Sequence, residues 1–186
     1  MIKLKNLLLE VLNNVLIVDV ESTCGEDVSE IIEIGMADTN GISYPSIIIK
    51  PEFSTITPLC TSLTTLTPEQ INKEGLPTQQ AYLKFNSITS KYSTWASYGE
   101  YDKRMFEKMS SLYNININLP SQHINVRSLV SQKLYNSNNP QLAPKNPKDS
   151  LELLGYEFIG VNHRGDDDAK NIARLYNILV KDNYLQ

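Results

Sequence analysis

Cysteine and histidine are scarce in this sequence of 186 residues, which contains two of each. The spacing of Cys24 and Cys60 matches neither a zinc-binding motif nor a disulfide framework. We therefore expect free thiols, as in a cytosolic protein.

Long apolar stretches and an excess of positive charge are also absent. No run approaches the roughly 20 apolar residues that a bilayer-spanning helix needs. Residues 1–10 look faintly like a signal peptide, but Glu10, Asn13 and Asn14 interrupt the pattern and no small-residue cleavage pattern follows. We therefore expect an intracellular, cytoplasmic protein with no membrane association. The formal net charge of -4 argues against a generally basic nucleic-acid coat protein, although a local groove or bound cations can still hold a phosphate backbone.

The composition is that of one domain of ordinary size. Hydrophobic residues make up 41% of the chain and charged residues 20%, as in soluble globular proteins. A chain of this length buries a substantial core without disulfides. We predict a single domain over residues 1–186, with residues 1–14 as an N-terminal extension of uncertain structure, and we take a monomer as the default.

Hydrophobic periodicity predicts a mixed α/β fold. Short turns join three predicted strands, which makes these strands antiparallel; they lie at 15–21, 31–37 and 46–50. Further predicted strands alternate with helices and indicate a parallel part of the sheet; they lie at 92–98 and 124–126. The predicted helices begin at residue 68 and cover 78–88, 102–113, 128–135 and 169–180, and residues 136–147 form a surface loop.

The most informative segment is an apolar run that ends in two acids, Asp19 and Glu21. Side chains two apart on a strand lie on the same face, so a core strand here brings two carboxylates side by side. Unpaired buried acids are costly, and a bound divalent cation such as Mg²⁺ relieves that cost. The pair therefore predicts half of a metal site. The alternative is that the strand ends at Val18 and both acids begin a solvated loop.

Two further acidic segments precede predicted helices. Asp102 follows a predicted strand, where an aspartate on its own is most often an N-cap. The run of aspartates ending at Asp168 suits the first turn of a helix, whose dipole favours negative charge, but this does not explain His163 in the preceding loop. Together, four carboxylates and a histidine can hold two Mg²⁺ or Mn²⁺ ions and activate a water for in-line displacement at phosphorus, with the histidine as general base.

Three segments resemble the exonuclease motifs of the DEDDh (DnaQ-like) family of 3′–5′ exonucleases. They are residues 18–24, 97–102 and 163–173. They occur in the family's order, with its spacing of five between His163 and Asp168. The segment 60–67 and the residues at 70–71 are most similar to the Eri-type branch, which includes the histone-mRNA exonuclease and bacterial KapD-like proteins.

The resemblance implies a ribonuclease H-like fold, in which a mixed five-stranded sheet with its first three strands antiparallel is flanked by helices. It implies that His163 is the general base and that the metal-binding acids are Asp19, Glu21, Asp102 and Asp168. The implied reaction uses two Mg²⁺ or Mn²⁺ ions to hydrolyse the last phosphodiester, releasing a nucleoside 5′-monophosphate from a 3′ end.

The resemblance also marks substrate-binding positions. Thr23, Leu63 and Leu66 match positions that hold the terminal nucleotide, and Tyr98 replaces a family tryptophan while keeping a stacking face. Leu63 and Leu66 have an alternative interpretation as ordinary packing residues. The other departures from the family pattern are Thr65 for a glycine, Tyr101 for a tryptophan, Asp166 for an apolar residue and Asn162 for a histidine.

The sequence thus predicts an exonuclease that acts on the 3′ end of single-stranded RNA or DNA. It does not choose between the two polymers, because no motif marks contacts to a 2′-hydroxyl. Two alternatives remain: a nucleic-acid-binding adaptor with the same fold and little activity, and a hydrolase of very short oligonucleotides. Extended basic and aromatic tracts are absent, so the targeting of long substrates depends on a protein partner or does not occur.

Overall fold

The computed structural model describes residues 14–24 and 28–184, with side chains to residue 180. Apart from Asn14, the predicted N-terminal extension and its signal-peptide-like pattern lie outside the described residues. Among the helices in this part of the chain, none is long and apolar enough to cross a membrane.

A five-stranded sheet forms the centre of the fold, in the order β3-β2-β1-β4-β5. The strands are β1 Val15–Ser22, β2 Ile31–Asp38, β3 Ser43–Ile48, β4 Thr94–Ser97 and β5 Gln122–Asn125. Pairing is antiparallel between β1 and β2 and between β2 and β3, and parallel between β1 and β4 and between β4 and β5. This topology confirms the predicted mixed sheet with three antiparallel strands first.

Helices flank this sheet throughout the described residues. They are α1 Pro58–Thr64, α2 Pro68–Glu74, α3 Thr78–Thr89, α4 Tyr101–Tyr113, α5 Val126–Tyr135, α6 Pro147–Leu153 and α7 Gly165–Tyr184. The sequence does not predict α1 and α6. Each begins with a proline and is capped by a side chain, from Thr57 and Asn146 respectively. Proline fits the first helical position because that position needs no amide donor, so these prolines begin helices.

Strand β1 separates two apolar cores. Leu16, Val18 and Val20 pack on one face of the sheet with residues of α3 and α4. Val15 and Ile17 pack on the other face with residues of α5 and α7. Because alternate residues of a strand share a face, Asp19 and Glu21 continue the face that is covered by α7.

The beginning of α7 lies directly against β2. A Cβ atom built on Gly35 would lie 1.8 Å from the backbone of Gly165, so no side chain fits between the two backbones. Gly35 is also the register partner of Asp19 in the β1–β2 ladder. The close approach therefore brings the first turn of α7, which contains Asp168, next to the acids of β1.

Candidate active site

The four predicted metal ligands and the predicted general base converge on one cavity of about 240 Å³. Strand β1 contributes two of the acids and the first turns of α4 and α7 contribute one each. The histidine comes from the loop before α7. The five residues are Asp19, Glu21, Asp102, His163 and Asp168, and the cavity is also lined by Tyr98, Tyr101 and Asn162.

Asp102 lies in the first turn of α4 but does not cap the helix. Its Oδ1 accepts a hydrogen bond of 3.0 Å from the backbone N–H of Val20, the residue between the two acids of β1. The capping position is Glu100, which makes no side-chain capping hydrogen bond. The N-cap interpretation of Asp102 is therefore wrong, and the hydrogen bond instead fixes its buried carboxylate against β1.

His163 directly precedes the first turn of α7 and adopts the left-handed conformation, with φ of 62°. A ring nitrogen of His163 and carboxylate oxygens of Glu21 and Asp168 all lie within 4.8 Å of one another. The histidine is exposed, whereas Asp168 is buried. This placement lets the imidazole exchange a proton with a molecule in the cavity while it stays beside two carboxylates.

Two polar side chains of α7 hold the loop that carries His163. Asn171 donates from Nδ2 to the carbonyl of Ile159 at 2.7 Å and accepts from the N–H of Ile159 at 3.0 Å. Asp167 accepts a hydrogen bond of 2.9 Å from the N–H of Val161. The loop is therefore anchored to the same helix that supplies Asp168.

Crowding of the acids raises their pKa values. Burial raises the pKa of Asp19 well above its usual range, and the charges of Asp102 and Asp168 add to this effect. Burial, with the charge of Asp168, raises the pKa of Glu21 to about 8. Burial also raises the pKa of Asp168 to about 7 and that of Asp102 to about 6. Without a cation, these groups retain protons at higher pH because their like charges repel and are poorly solvated.

The donor set fits a divalent cation. Carboxylate oxygens are ligands that Mg²⁺ and Mn²⁺ prefer. Oδ2 of Asp168 is buried and has no hydrogen-bond partner among the described residues. Because buried polar atoms are normally paired, this oxygen has the character of a metal ligand. A cation would also neutralise the charge that raises the pKa values.

Sequence reasoning missed Glu33, which is fully buried in β2 and faces Glu21 in the β1–β2 register. Arg164 donates to both of its carboxylate oxygens, from Nη2 at 3.1 Å and from Nε at 3.4 Å. The backbone N–H of Gly165 donates to the same carboxylate at 3.0 Å. The one sequence signal for this residue is a charged side chain within the otherwise apolar segment 31–37.

The four predicted substrate-binding residues lie in different environments. Leu63 is exposed, whereas Leu66 is buried in a small core beneath α1 and α2, as its packing interpretation predicts. The hydroxyl of Thr23 accepts a hydrogen bond of 2.9 Å from the N–H of Glu30. Tyr98 lines the cavity, but its hydroxyl donates to a backbone carbonyl in the loop before α6. Leu63 and Tyr98 are thus the two with surface facing solvent or the cavity.

Three departures from the family pattern have clear structural settings. Thr65 ends α1 with φ of 62°, a conformation that β-branched residues rarely adopt. The hydroxyls of Tyr101 and Ser22 lie 2.6 Å apart at the edge of the cavity. Asp166 forms an ion pair of 2.9 Å with Lys170 one turn further along α7.

A mixed sheet whose central strand and two helix starts bring carboxylates to one cavity defines a ribonuclease H-like nuclease. The sequence matches the family model described as Exonuclease (RNase_T) over residues 16–176. The chain therefore belongs to this exonuclease family, which confirms the predicted DEDDh-type exonuclease. The Eri-type or KapD-like branch stays a prediction. No curated protein sequence is significantly similar to the chain.

Solved exonuclease structures share the fold. The nuclease domain of 3'hExo, a DEDDh family member bound to rAMP, has a TM-score of 0.76 and 24% identity, with 91% of this chain and 92% of that chain covered. Cell-death related nuclease 4 (CRN-4) has a TM-score of 0.72 and 22% identity, with 92% and 64% covered. Exonuclease I of E. coli in complex with a dT13 oligonucleotide has a TM-score of 0.70 and 12% identity, with 91% and 41% covered. These likenesses confirm the predicted ribonuclease H-like fold.

Proposed function

We propose that the protein is a metal-dependent exonuclease that degrades single-stranded RNA or DNA from the 3′ end and releases nucleoside 5′-monophosphates. The observation that carries the proposal is the convergence of four carboxylates and His163 on one cavity. The raised pKa values of the acids support a requirement for a divalent cation, because a cation favours the ionised carboxylates. The charge of four ionised carboxylates equals that of two Mg²⁺ or Mn²⁺ ions.

The four acids and the histidine of the cavity each have a defined role in this proposal. Asp19, Glu21, Asp102 and Asp168 hold the ions. Bound cations of this kind act as Lewis acids and lower the pKa of a water. His163 accepts the proton of the attacking water, since its ring lies beside the carboxylates of Glu21 and Asp168 and lines the cavity.

The terminal nucleotide contacts Leu63 and Tyr98 in this proposal, while Thr23 and Leu66 shape the pocket behind them. Leu63 is 46% exposed, and Tyr98 is one of the residues that line the cavity. Among the similar structures, one is bound to rAMP and another to a dT13 oligonucleotide, which supports nucleic acid as the substrate class. A cytoplasmic location and a protein partner for targeting are further proposals.

Degradation of a 5′-labelled single-stranded oligonucleotide tests the proposed function. The wild-type protein with Mg²⁺ or Mn²⁺ is expected to shorten it from the 3′ end, and Asp19→Ala is expected to abolish the reaction. Glu107→Gln changes an exposed acid on α4 and serves as the matched control with wild-type rate. Undiminished degradation by Asp19→Ala would contradict the proposal.

The same assay separates the two alternatives. Binding to a 3′ end without cleavage in Mn²⁺ would indicate an adaptor. Faster hydrolysis of a dinucleotide than of a long oligonucleotide would indicate a hydrolase of very short substrates. A panel of RNA, DNA, duplex and dinucleotide then identifies the preferred polymer.

A further inference from the structure

One partly buried ion pair lies beside the acidic cavity and joins residues that are 131 positions apart, the buried Glu33 of β2 and the half-buried Arg164 of the loop before α7. The Glu33 side chain has no exposed surface, and that of Arg164 is 24% exposed. Burying two charges costs about as much as their attraction returns, and an apolar pair of similar size is often equally stable. Stability alone therefore does not explain this pair.

The contacts of Glu33 fix a direction as well as a distance. Its carboxylate accepts from two nitrogens of Arg164 and from the N–H of Gly165. Two-pronged contacts between a guanidinium and a carboxylate define the relative orientation of the two groups. Arg164 and Gly165 directly follow His163, so these contacts hold the backbone of His163 on its C-terminal side.

The conformation of His163 requires such support. Its φ of 62° is uncommon for any residue other than glycine and persists where the surroundings hold it. Asn171 and Asp167 anchor the preceding residues to α7. Glu33 instead ties the loop to the sheet, at the position that faces Glu21 in the register.

We propose that Glu33 and Arg164 form a positioning pair that holds the imidazole of His163 beside Glu21 and thereby sets the rate of hydrolysis. This inference rests on the proposed function. Neither residue of the pair touches the reacting atoms; both act through the backbone of His163. Their loss is therefore expected to lower kcat more than it raises KM.

Methionine substitutions separate positioning from stability. Arg164→Met leaves the buried Glu33 unpaired, so we expect it to lower both Tm and kcat. The double variant Glu33→Met/Arg164→Met removes both charges and is expected to regain most of the lost Tm, while kcat stays about 10- to 100-fold below wild type. Lys108→Met removes an exposed cation of α4, and this control should keep the wild-type Tm and kcat.

Arg164→Lys provides a variant that keeps the charge and therefore the fold. It loses the two-pronged contact, because an ammonium group cannot reproduce the guanidinium geometry. We expect a wild-type Tm with kcat reduced about tenfold. Wild-type kcat in both Arg164→Lys and the double variant would overturn the proposal.

A second readout does not depend on activity. The chain has two histidines, His123 and His163, so their imidazole NMR signals are easily distinguished. Bound Mn²⁺ increases the relaxation rate of nearby nuclei, and this increase falls steeply with distance. If His163 moves away from the acids in the double variant, the Mn²⁺-induced relaxation of its imidazole, divided by that of His123, should decrease. An unchanged ratio would overturn the proposal. If the wild-type protein binds Mn²⁺ but hydrolyses no substrate, the proposed function fails, whereas this ratio still tests the positioning pair.

Discussion

Asp102 shows, at the scale of one residue, how function and stability oppose each other in the cavity. Its carboxylate is buried and accepts a hydrogen bond from Val20. Its charge also raises the pKa of Asp19, which burial already raises. A carboxylate that binds a cation thus lowers the stability of the metal-free protein.

We expect Asp102→Asn to stabilise the metal-free protein by about 1 kcal/mol at a pH where the acid is ionised. The amide oxygen keeps the acceptor for Val20 but removes the negative charge. The same change should remove detectable hydrolysis, because one of four ligand carboxylates is lost. Thermal denaturation in EDTA and oligonucleotide degradation measure the two effects, and a Tm below that of wild type in EDTA would contradict the first.

At the scale of elements, the placement of α7 depends on a backbone contact between two glycines. The contact of Gly35 with Gly165 leaves no room for a side chain. It positions Asp168 and His163 together, because Asp168 lies in the first turn of α7 and His163 lies two residues before that helix begins.

Gly35→Ala is therefore expected to destabilise the protein by about 3 kcal/mol or more and to displace the start of α7. Hydrolysis should fall with it, because Asp168 and His163 move away from β1. Gly41→Ala is the comparison, since a Cβ there meets nothing within 4 Å and only the positive φ of 93° opposes it. Denaturant unfolding and activity assays check both variants, and a wild-type free energy of unfolding for Gly35→Ala would refute the prediction.

The residue that caps the C-terminus of α1, Thr65, has a strained backbone. Its left-handed conformation is costly for a β-branched residue, and its side chain is exposed and loses little packing on removal. We expect Thr65→Gly to raise the free energy of unfolding by about 1 kcal/mol. Ser62→Gly, at an exposed helical position of α1, should instead lower it by a similar amount. Urea unfolding of both variants is the measurement. A free energy of unfolding for Thr65→Gly no higher than that of the wild type would show that Thr65 is not strained.

At the scale of the whole molecule, the acidic cavity makes stability depend on pH and metal. The pKa values of Glu21, Asp168 and Asp102 are raised to about 8, 7 and 6, mainly by burial. Ordinary carboxylates titrate near about pH 4. Between about pH 4 and about pH 8, the folded, metal-free protein therefore binds more protons than the unfolded chain, so its free energy of unfolding falls as pH rises.

We therefore expect Tm in EDTA to decrease as pH rises from about 5 to about 8, and to stay level with saturating Mn²⁺, which favours the ionised carboxylates. The buried Glu30 does not contribute to this pH dependence of Tm. Burial would raise its pKa, but hydrogen bonds from Ser54 and Tyr113 lower it, so it acts on the acid side of this range. Thermal denaturation across the range with and without Mn²⁺ is the measurement, and equal slopes in both conditions would disprove the linkage.

Much of this arrangement follows from local sequence patterns. Alternation along β1 predicted that Asp19 and Glu21 lie on one face of the strand. The apolar residues at helical spacing in α7 predicted which side of that helix is buried. The same kind of reasoning missed α1 and α6, because their prolines resemble loop signals. It also missed Glu33. A buried acid within a strand depends on its ion-pair partner, and Arg164 is far from Glu33 in the sequence, so the residues next to Glu33 do not predict the pair.

By itself, the sequence determined the succession of strands along the chain and the acids and histidine available for chemistry, because these depend on periodicity and on residue spacing. Its resemblance to three exonuclease motifs indicated the family. Only the tertiary structure decided that Asp102 is bonded to β1, that Arg164 pairs with Glu33 and that Leu66 is buried. Each of these contacts joins separate elements. Local patterns predict the elements but not the distances between them, which depend on how the apolar faces and the two close glycines pack together.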